Sequence, residues 1–377
     1  GDHRYLHSFP TRRSSDLPAP QPPAEAKLAP TLPAWVQGIK ISGDFRYRHE
    51  MTDDETKTAD RNRHRLRARL YVSGKVNEAV DAMIGLASGS DESATSTNQD
   101  ETGAFSSKPI GLDLAFFDDH PASVEGLHIL GGKIKQPYYF PGDSDLLFDT
   151  DVRPEGIAAT YNKTFAEGLK FFGTVAGHYV QERSTDADTS LWVAQAGLTW
   201  ATPGVKDGFL TGVAGYYDYA NTQGEVALGE NPANFRGNTS VGGVYASDFD
   251  IVQVFGEAGL PLAGLPFSVF GELLVNTAAE SDEDTGYLVG AGLGKCKDPG
   301  TWQVIYNYRD LEADAALAAL TESTFAGGGT GLKGHKLSVG YQIAKNWNVV
   351  LCYMMAERVR AQTTDFDVFI LDLNFKF

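Results

Sequence analysis

The run Arg61-Asn62-Arg63-His64-Arg65-Leu66-Arg67-Ala68-Arg69-Leu70 places an arginine at every second position. A period of two is that of an extended strand, in which residues i, i+2 and i+4 share a face. Arg61, Arg63, Arg65, Arg67 and Arg69 therefore stand in one row, while Leu66, Ala68 and Leu70 point the other way. One face is wet and the other dry. Like charges in a row repel one another unless water or acidic groups face them. A water-filled lumen with carboxylates opposite supplies both. The stretch from Val36 to His49 repeats the pattern, with Asp44, Arg46 and Arg48 on one face and Phe45 and Tyr47 on the other.

The chain has 377 residues and a formal net charge of -17. That length suits one large barrel or two modest soluble domains. The acidic balance argues against nucleic acid as a partner, because gripping phosphates takes a broad basic patch and this basic row is isolated. Cys296 and Cys352 lie in strand-like segments without metal-ligand spacing, and no metal or cofactor is expected. No apolar run reaches the roughly eighteen residues of a membrane-crossing helix. A barrel strand, apolar on one face only, reads as moderately polar and is compatible with this composition.

Residues 1–17 resemble translated sequencing-adapter read-through and are set aside as an artefact, the natural export signal being expected to have been replaced or lost. Residues 18–35, rich in Pro and Ala, read as an extended linker. The expected barrel domain is 36–377. Within it, Lys75 to Glu78, Phe165 to Gly168, Thr202 to Gly208, Lys297 to Gly300 and Ala344 to Trp347 carry tight-turn chemistry. Met51 to Asp60, Gly89 to Lys108, Gln136 to Val152, Asn221 to Ser247, Thr277 to Asp284 and Glu312 to Gly331 are longer and polar.

Short connections at one end and long ones at the other are those of a transmembrane antiparallel β-barrel with short periplasmic turns and long extracellular loops. The segments give about sixteen strands, although fourteen or eighteen also fit. Arg236 to Ala246 looks like a strand, yet counting it would bring the last strand up the wrong way, so it is assigned to a long loop. Lipid-facing sets carry aromatics at their ends: Trp192 with Leu198 and Trp200, Trp302 with Tyr306 and Tyr308, Trp347 with Leu351 and Tyr353. A soluble β-sandwich with aromatic pairs in its core is the alternative.

The chain stops on Phe369, Leu371, Leu373, Phe375 and Phe377, all on one face. Phe375 and Phe377 look like the terminal signal by which outer-membrane proteins engage their assembly machinery. The other reading, an apolar edge strand at a free terminus of a soluble protein, is an aggregation hazard.

Several landmarks carry a likeness to a family. They include Gly43-Asp44-Phe45-Arg46-Tyr47-Arg48, the arginine row, Gly131-Gly132-Lys133 before Pro137, and Gly300-Thr301-Trp302. Two more are Asp149-Thr150-Asp151-Val152-Arg153-Pro154-Glu155-Gly156 and Tyr306-Asn307-Tyr308-Arg309-Asp310-Leu311-Glu312. From about Gly38 to Phe377 the chain resembles the putative porin family of bacterial outer-membrane barrels. Phe148 and Arg153 stand where members often have Trp and Asn. The resemblance implies an integral outer-membrane pore and leaves the solute open.

No H-E-x-x-H, paired Cys or Gly-x-Ser-x-Gly is present, the histidines are scattered, and no catalytic residue is expected. Gly327-Gly328-Gly329 lacks the strand-before, helix-after context of a phosphate loop and reads as flexible loop. Gln136 to Val152 mixes Asp143, Asp145, Asp149 and Asp151 with Tyr138, Tyr139, Phe140, Leu146, Leu147 and Phe148, more apolar surface than a solvated loop carries. We expect it to fold into the barrel, anchor its aromatics on the inner wall and turn its carboxylates toward the arginines of the first two strands. An external loop in a subunit contact is the alternative. The expected function is passive diffusion of small hydrophilic solutes or ions with weak anion preference, in a homotrimer by analogy with barrels of this size. A solute-selective anion or phosphate channel is the first rival, and a non-conducting barrel serving as adhesin or anchor the second.

Overall fold

The computed structural model describes residues 38–89, 93–229 and 231–377; the expected artefact 1–17 and linker 18–35 lie outside them. Sixteen strands form the wall: β1 Ile39–Asp54, β2 Arg61–Lys75, β3 Val80–Ser88, β4 Ile110–Asp119, β5 Leu127–Lys133, β6 Glu155–Ala166, β7 Leu169–Gln181 and β8 Thr189–Ala201. There follow β9 Phe209–Ala220, β10 Phe249–Leu262, β11 Leu265–Asn276, β12 Thr285–Gly294, β13 Trp302–Leu311, β14 Leu332–Ala344, β15 Trp347–Val359 and β16 Thr363–Lys376. Each pairs antiparallel with its successor, and β16 pairs with β1 from Asp44↔Lys376 to Asp54↔Phe366, so the sheet has no free edge. Closure satisfies every strand's ladder, the condition for crossing hydrocarbon with β-structure. The backbone of Phe377 extends this seam, its amide donating to the Gly43 carbonyl at 3.0 Å and its carbonyl accepting from the Gly43 amide at 2.9 Å.

Alternation sets the outer surface. Along β8, Trp192 (58% exposed), Leu198 and Trp200 face outward, whereas Leu191, Val193 and Gln195, of the alternate set, are buried. Trp302, Tyr306, Trp347, Leu351 and Tyr353 are likewise outward. The short connections lie at the end that holds Ile39 and Phe377. Two unanticipated ones join them, 120–126 and the Ala263–Gly264 turn, where both residues take positive φ (50° and 81°). That is the backbone a two-residue hairpin needs to match the strands' twist. At the opposite end the connections are less uniform than expected, since 55–60, 182–188 and 360–362 are short. Arg236 to Ala246 does not cross the wall; it contributes a small hairpin, Ser240–Val241 with Val244–Tyr245, between β9 and β10.

The core of the molecule is inside the barrel. After Lys133 the chain leaves the wall, and residues 134–154 cross the lumen before β6 resumes. Leu146, Leu147 and Phe148 are buried against inward-facing Tyr217, Phe249, Ile251, Phe270 and Leu274. The Tyr138 ring stacks on Phe148 at 5.8 Å and meets Tyr217 edge-on at 5.7 Å. The inner face of β8 to β12 is therefore rich in apolar side chains, interrupted by buried polar ones such as Gln195, Gln253 and Glu272, because this loop rather than water covers it. A second loop, 312–331, also turns inward, burying Leu317, Phe325 and Ala326. The Gly327-Gly328-Gly329 tract is a packed turn rather than a flexible loop. All three residues take positive φ, and a Cβ on Gly329 would collide with the Arg236 carbonyl.

Candidate pore constriction

Two loops fill one side of the lumen, and the opposite wall, β1 and β2 with Asp372 of β16, is charged. Register places Arg46 opposite Arg67, Arg48 opposite Arg65, Asp44 opposite Arg69 and Glu50 opposite Arg63. The arginines are thereby interleaved with acids. Asp44 accepts from Arg67 (2.9 Å) and Arg69 (2.8 Å), and Glu50 from Arg63 and from Arg65 (3.1 Å). Asp100, in a two-residue bridge paired with β2, reaches Arg65 at 2.8 Å, Arg61 at 3.5 Å and Arg63 at 3.6 Å. Asp372 of β16 takes Arg48 through two oxygens at 2.7 and 2.8 Å, with Arg46 at 3.8 Å. Asp151 lies 3.4 Å from Arg69 and 3.9 Å from Arg67. Among the described residues, seven arginines (46, 48, 61, 63, 65, 67, 69) thus meet five carboxylates (Asp44, Glu50, Asp100, Asp151, Asp372), an excess of two positive charges.

Three acids of the inward loop, Asp145, Asp149 and Asp151, have described side chains, and these turn to different partners. Among the described side chains of the loop's acids, Asp151 alone faces the arginine row within ion-pair distance; it also accepts from the Thr97 amide (3.2 Å) and hydroxyl (3.1 Å). Asp145 is turned the other way, to Arg309 of β13 at 2.8 Å and Lys336 of β14 at 2.9 Å, because the loop reaches the far wall before it returns. The expectation that it faces the first two strands is corrected. Asp149 accepts the amides of Asp151 and Ser323, both at 2.9 Å, and so ties the two inward loops together. Asp143 ends the turn Pro141–Asp143, and its side chain lies outside those described.

Arg309, Lys336 and Glu322 were not anticipated as a site. Arg309, with a side chain 2% exposed, bridges Asp145 and Glu322 (2.6 Å) and lies over the Phe325 ring at 4.6 Å; Lys336 also reaches Glu322, at 2.7 Å. Arg309 belongs to a quoted landmark, but nothing in the chain's order indicates that residues 145, 309, 322 and 336 meet. Against the raising effect of burial, Arg309 and Lys336 hold the Asp145 carboxyl below the usual range. Asp149 is the converse. Burial, offset in part by the Asp151 amide, and the nearby Asp151 and Glu322 carboxylates push it up to about 7.

Between the charged wall and the loops lies a cavity of about 210 Å³ lined by Arg46, Arg48, Arg67, Lys336, Ser323 and Thr324 among others. Ser323 and Thr324 also line an outer cavity of about 380 Å³ bounded by Glu50, Asp54, Arg61, Arg63 and Arg65. The arginine wall accompanies the space through both. At the seam, the Phe375 ring lies 5.6 Å from Trp347 and 6.0 Å from Phe45, and Phe377 is exposed.

The fold is shared with known pores. OprB of Pseudomonas putida superposes with a TM-score of 0.60 at 10% identity, covering 91% of this chain and 95% of that one. OmpF of Salmonella typhi gives 0.55 at 13%, covering 91% and 99%. A mutant of the Rh. blastica porin gives 0.50 at 14%, covering 90% and 100%. At such identities the likeness shows the fold alone. No curated protein matches the sequence. The sequence profile of the family described as putative porin matches residues 54–243 and 244–377. A closed barrel of porin architecture and a profile spanning most of its length place this chain in the putative porin family, to which it belongs.

Proposed function

We propose that this channel is a water-filled outer-membrane pore for passive diffusion of small hydrophilic solutes, with weak anion preference. Fold and family are those of a channel rather than an enzyme. The observation that carries the preference is the excess of seven arginines over five carboxylates on the wall that accompanies both cavities. Arginine keeps its charge at physiological pH, because its delocalised guanidinium is too weak an acid to release a proton there. Acids in the outer loops more than a Debye length away, about 8 Å at physiological salt, are screened from the passage. Across the lumen, Arg309 and Lys336 balance Asp145 and Glu322, so the excess stays small.

Replacing both Arg65 and Arg67 by glutamate turns seven bases and five acids into five and seven, which moves the wall from two positive charges to two negative. The reversal potential in planar bilayers shifts toward cation selectivity, most at low salt. An unchanged potential with the barrel intact refutes the reading. The narrowness of the inner cavity favours the second reading, a solute-selective channel, which saturating conductance at low solute concentration distinguishes. Trimeric assembly rests on barrel size alone, and a monomer by cross-linking in native membranes excludes it.

A further inference from the structure

Of the seven arginines on the wall, Arg46 is the exception. Each of the others has a carboxylate oxygen at 3.5 Å or closer, whereas the nearest to Arg46 among the described residues is Asp372 Oδ2 at 3.8 Å. Both oxygens of that carboxylate already accept from Arg48. The Arg46 Nη2 donates to a neutral group, Asn98 Oδ1, at 2.6 Å, and its Nε has no acceptor among the described residues. Its cross-strand neighbours are Arg67 and Asn374, neither of them an anion. A mostly buried guanidinium whose nearest carboxylate is 3.8 Å away and already held by Arg48 is an incompletely matched cation. It borders the inner cavity, where Ser323, Thr324, Ser338 and Thr150 add hydroxyls and Arg48, Arg67 and Lys336 further cations.

We propose that Arg46 and this cavity form a docking station for small solutes bearing a single carboxylate, an inference that rests on the channel reading above. A carboxylate matches the planar fork of a guanidinium through two parallel hydrogen bonds, a geometry that a lysine cannot reproduce. The cavity, about 210 Å³, is smaller than the roughly 300–1,000 Å³ of sites for drug-sized ligands, which limits the solute to a few heavy atoms. Charge number is limited too. Asp145, Asp149, Asp151, Glu322 and Asp372 also border the space, so a second negative charge on the solute meets repulsion.

The test compares potassium chloride, potassium acetate and potassium phosphate in planar bilayers carrying the full-length protein. Acetate current saturates with concentration while chloride current stays linear. Arg46→Gln raises the acetate half-saturation concentration roughly tenfold or more, the worth of a charge-assisted hydrogen bond. Arg46→Lys, which keeps the charge and controls for a folding defect, loses most of the acetate saturation. Linear acetate current in the wild type, or full saturation in Arg46→Lys, overturns the proposal. Tighter saturation by phosphate than by acetate overturns the single-carboxylate assignment. No chloride conductance in the wild type instead overturns the channel reading, which keeps the two failures apart.

Discussion

Replacing Arg309 by glutamine removes the more deeply buried of the two cations, Arg309 and Lys336, that join the two inward loops. Its guanidinium lies 2.8 Å from Asp145 in one loop and 2.6 Å from Glu322 in the other, with a side chain only 2% exposed. Losing one partner of a buried ion pair costs about 3–5 kcal/mol, because the survivors remain desolvated. Here two carboxylates are left with Lys336 between them. Glutamine still donates hydrogen bonds, so the lower figure is appropriate, and at about 1.4 kcal/mol per decade it raises the open fraction of the loops roughly 150-fold. The remaining ties are Lys336, which still reaches both carboxylates, and two single hydrogen bonds, the Asp149 amide to the Leu320 carbonyl at 2.8 Å and the Ser323 amide to the Asp149 carboxylate. The sixteen-strand ladder does not depend on Arg309. We therefore expect an intact, heat-modifiable barrel whose single-channel current is noisier and larger than wild type, together with new protease cleavage within 312–331. Arg309→Lys should fall between the two. A quiet trace of wild-type amplitude with an unchanged cleavage pattern refutes the argument that this cation holds the constriction.

Two further outcomes follow from the site and the seam. Lowering the pH through about 7 protonates Asp149, whose raised pKa comes first from burial. The constriction then loses a negative charge and anion preference rises as pH falls; in Asp149→Asn the reversal potential should be flat across that interval, and a wild-type slope in that variant disproves the assignment. Phe377→Asp places a charge at the closing seam, where the residue's backbone is paired with Gly43. If the terminal phenylalanine is the assembly signal, the variant accumulates unfolded in the periplasm, and normal surface insertion counts against it.

The barrel was legible because strand alternation is a local property. Side chains at i and i+2 share a face whatever the rest of the chain does, so Arg61 to Arg69, Trp192 to Trp200 and Phe369 to Phe377 declare their inner and outer faces by themselves. Turn chemistry is local in the same sense, although Ala263–Gly264 escaped notice because alanine is not a usual turn residue and only its positive φ marks it. The partners of the arginines were not legible. Asp372 lies 324 positions from Arg48 and Lys336 lies 191 from Asp145, and these pairs meet only because the barrel closes and the loops fold back inside it. The arginine row could be read from sequence as a charge, but its near-neutralisation, the exception at Arg46 and the linked inward loops depend on register across strands far apart in the chain. Electrostatic energy depends on distance in space, and tertiary structure alone decides that distance.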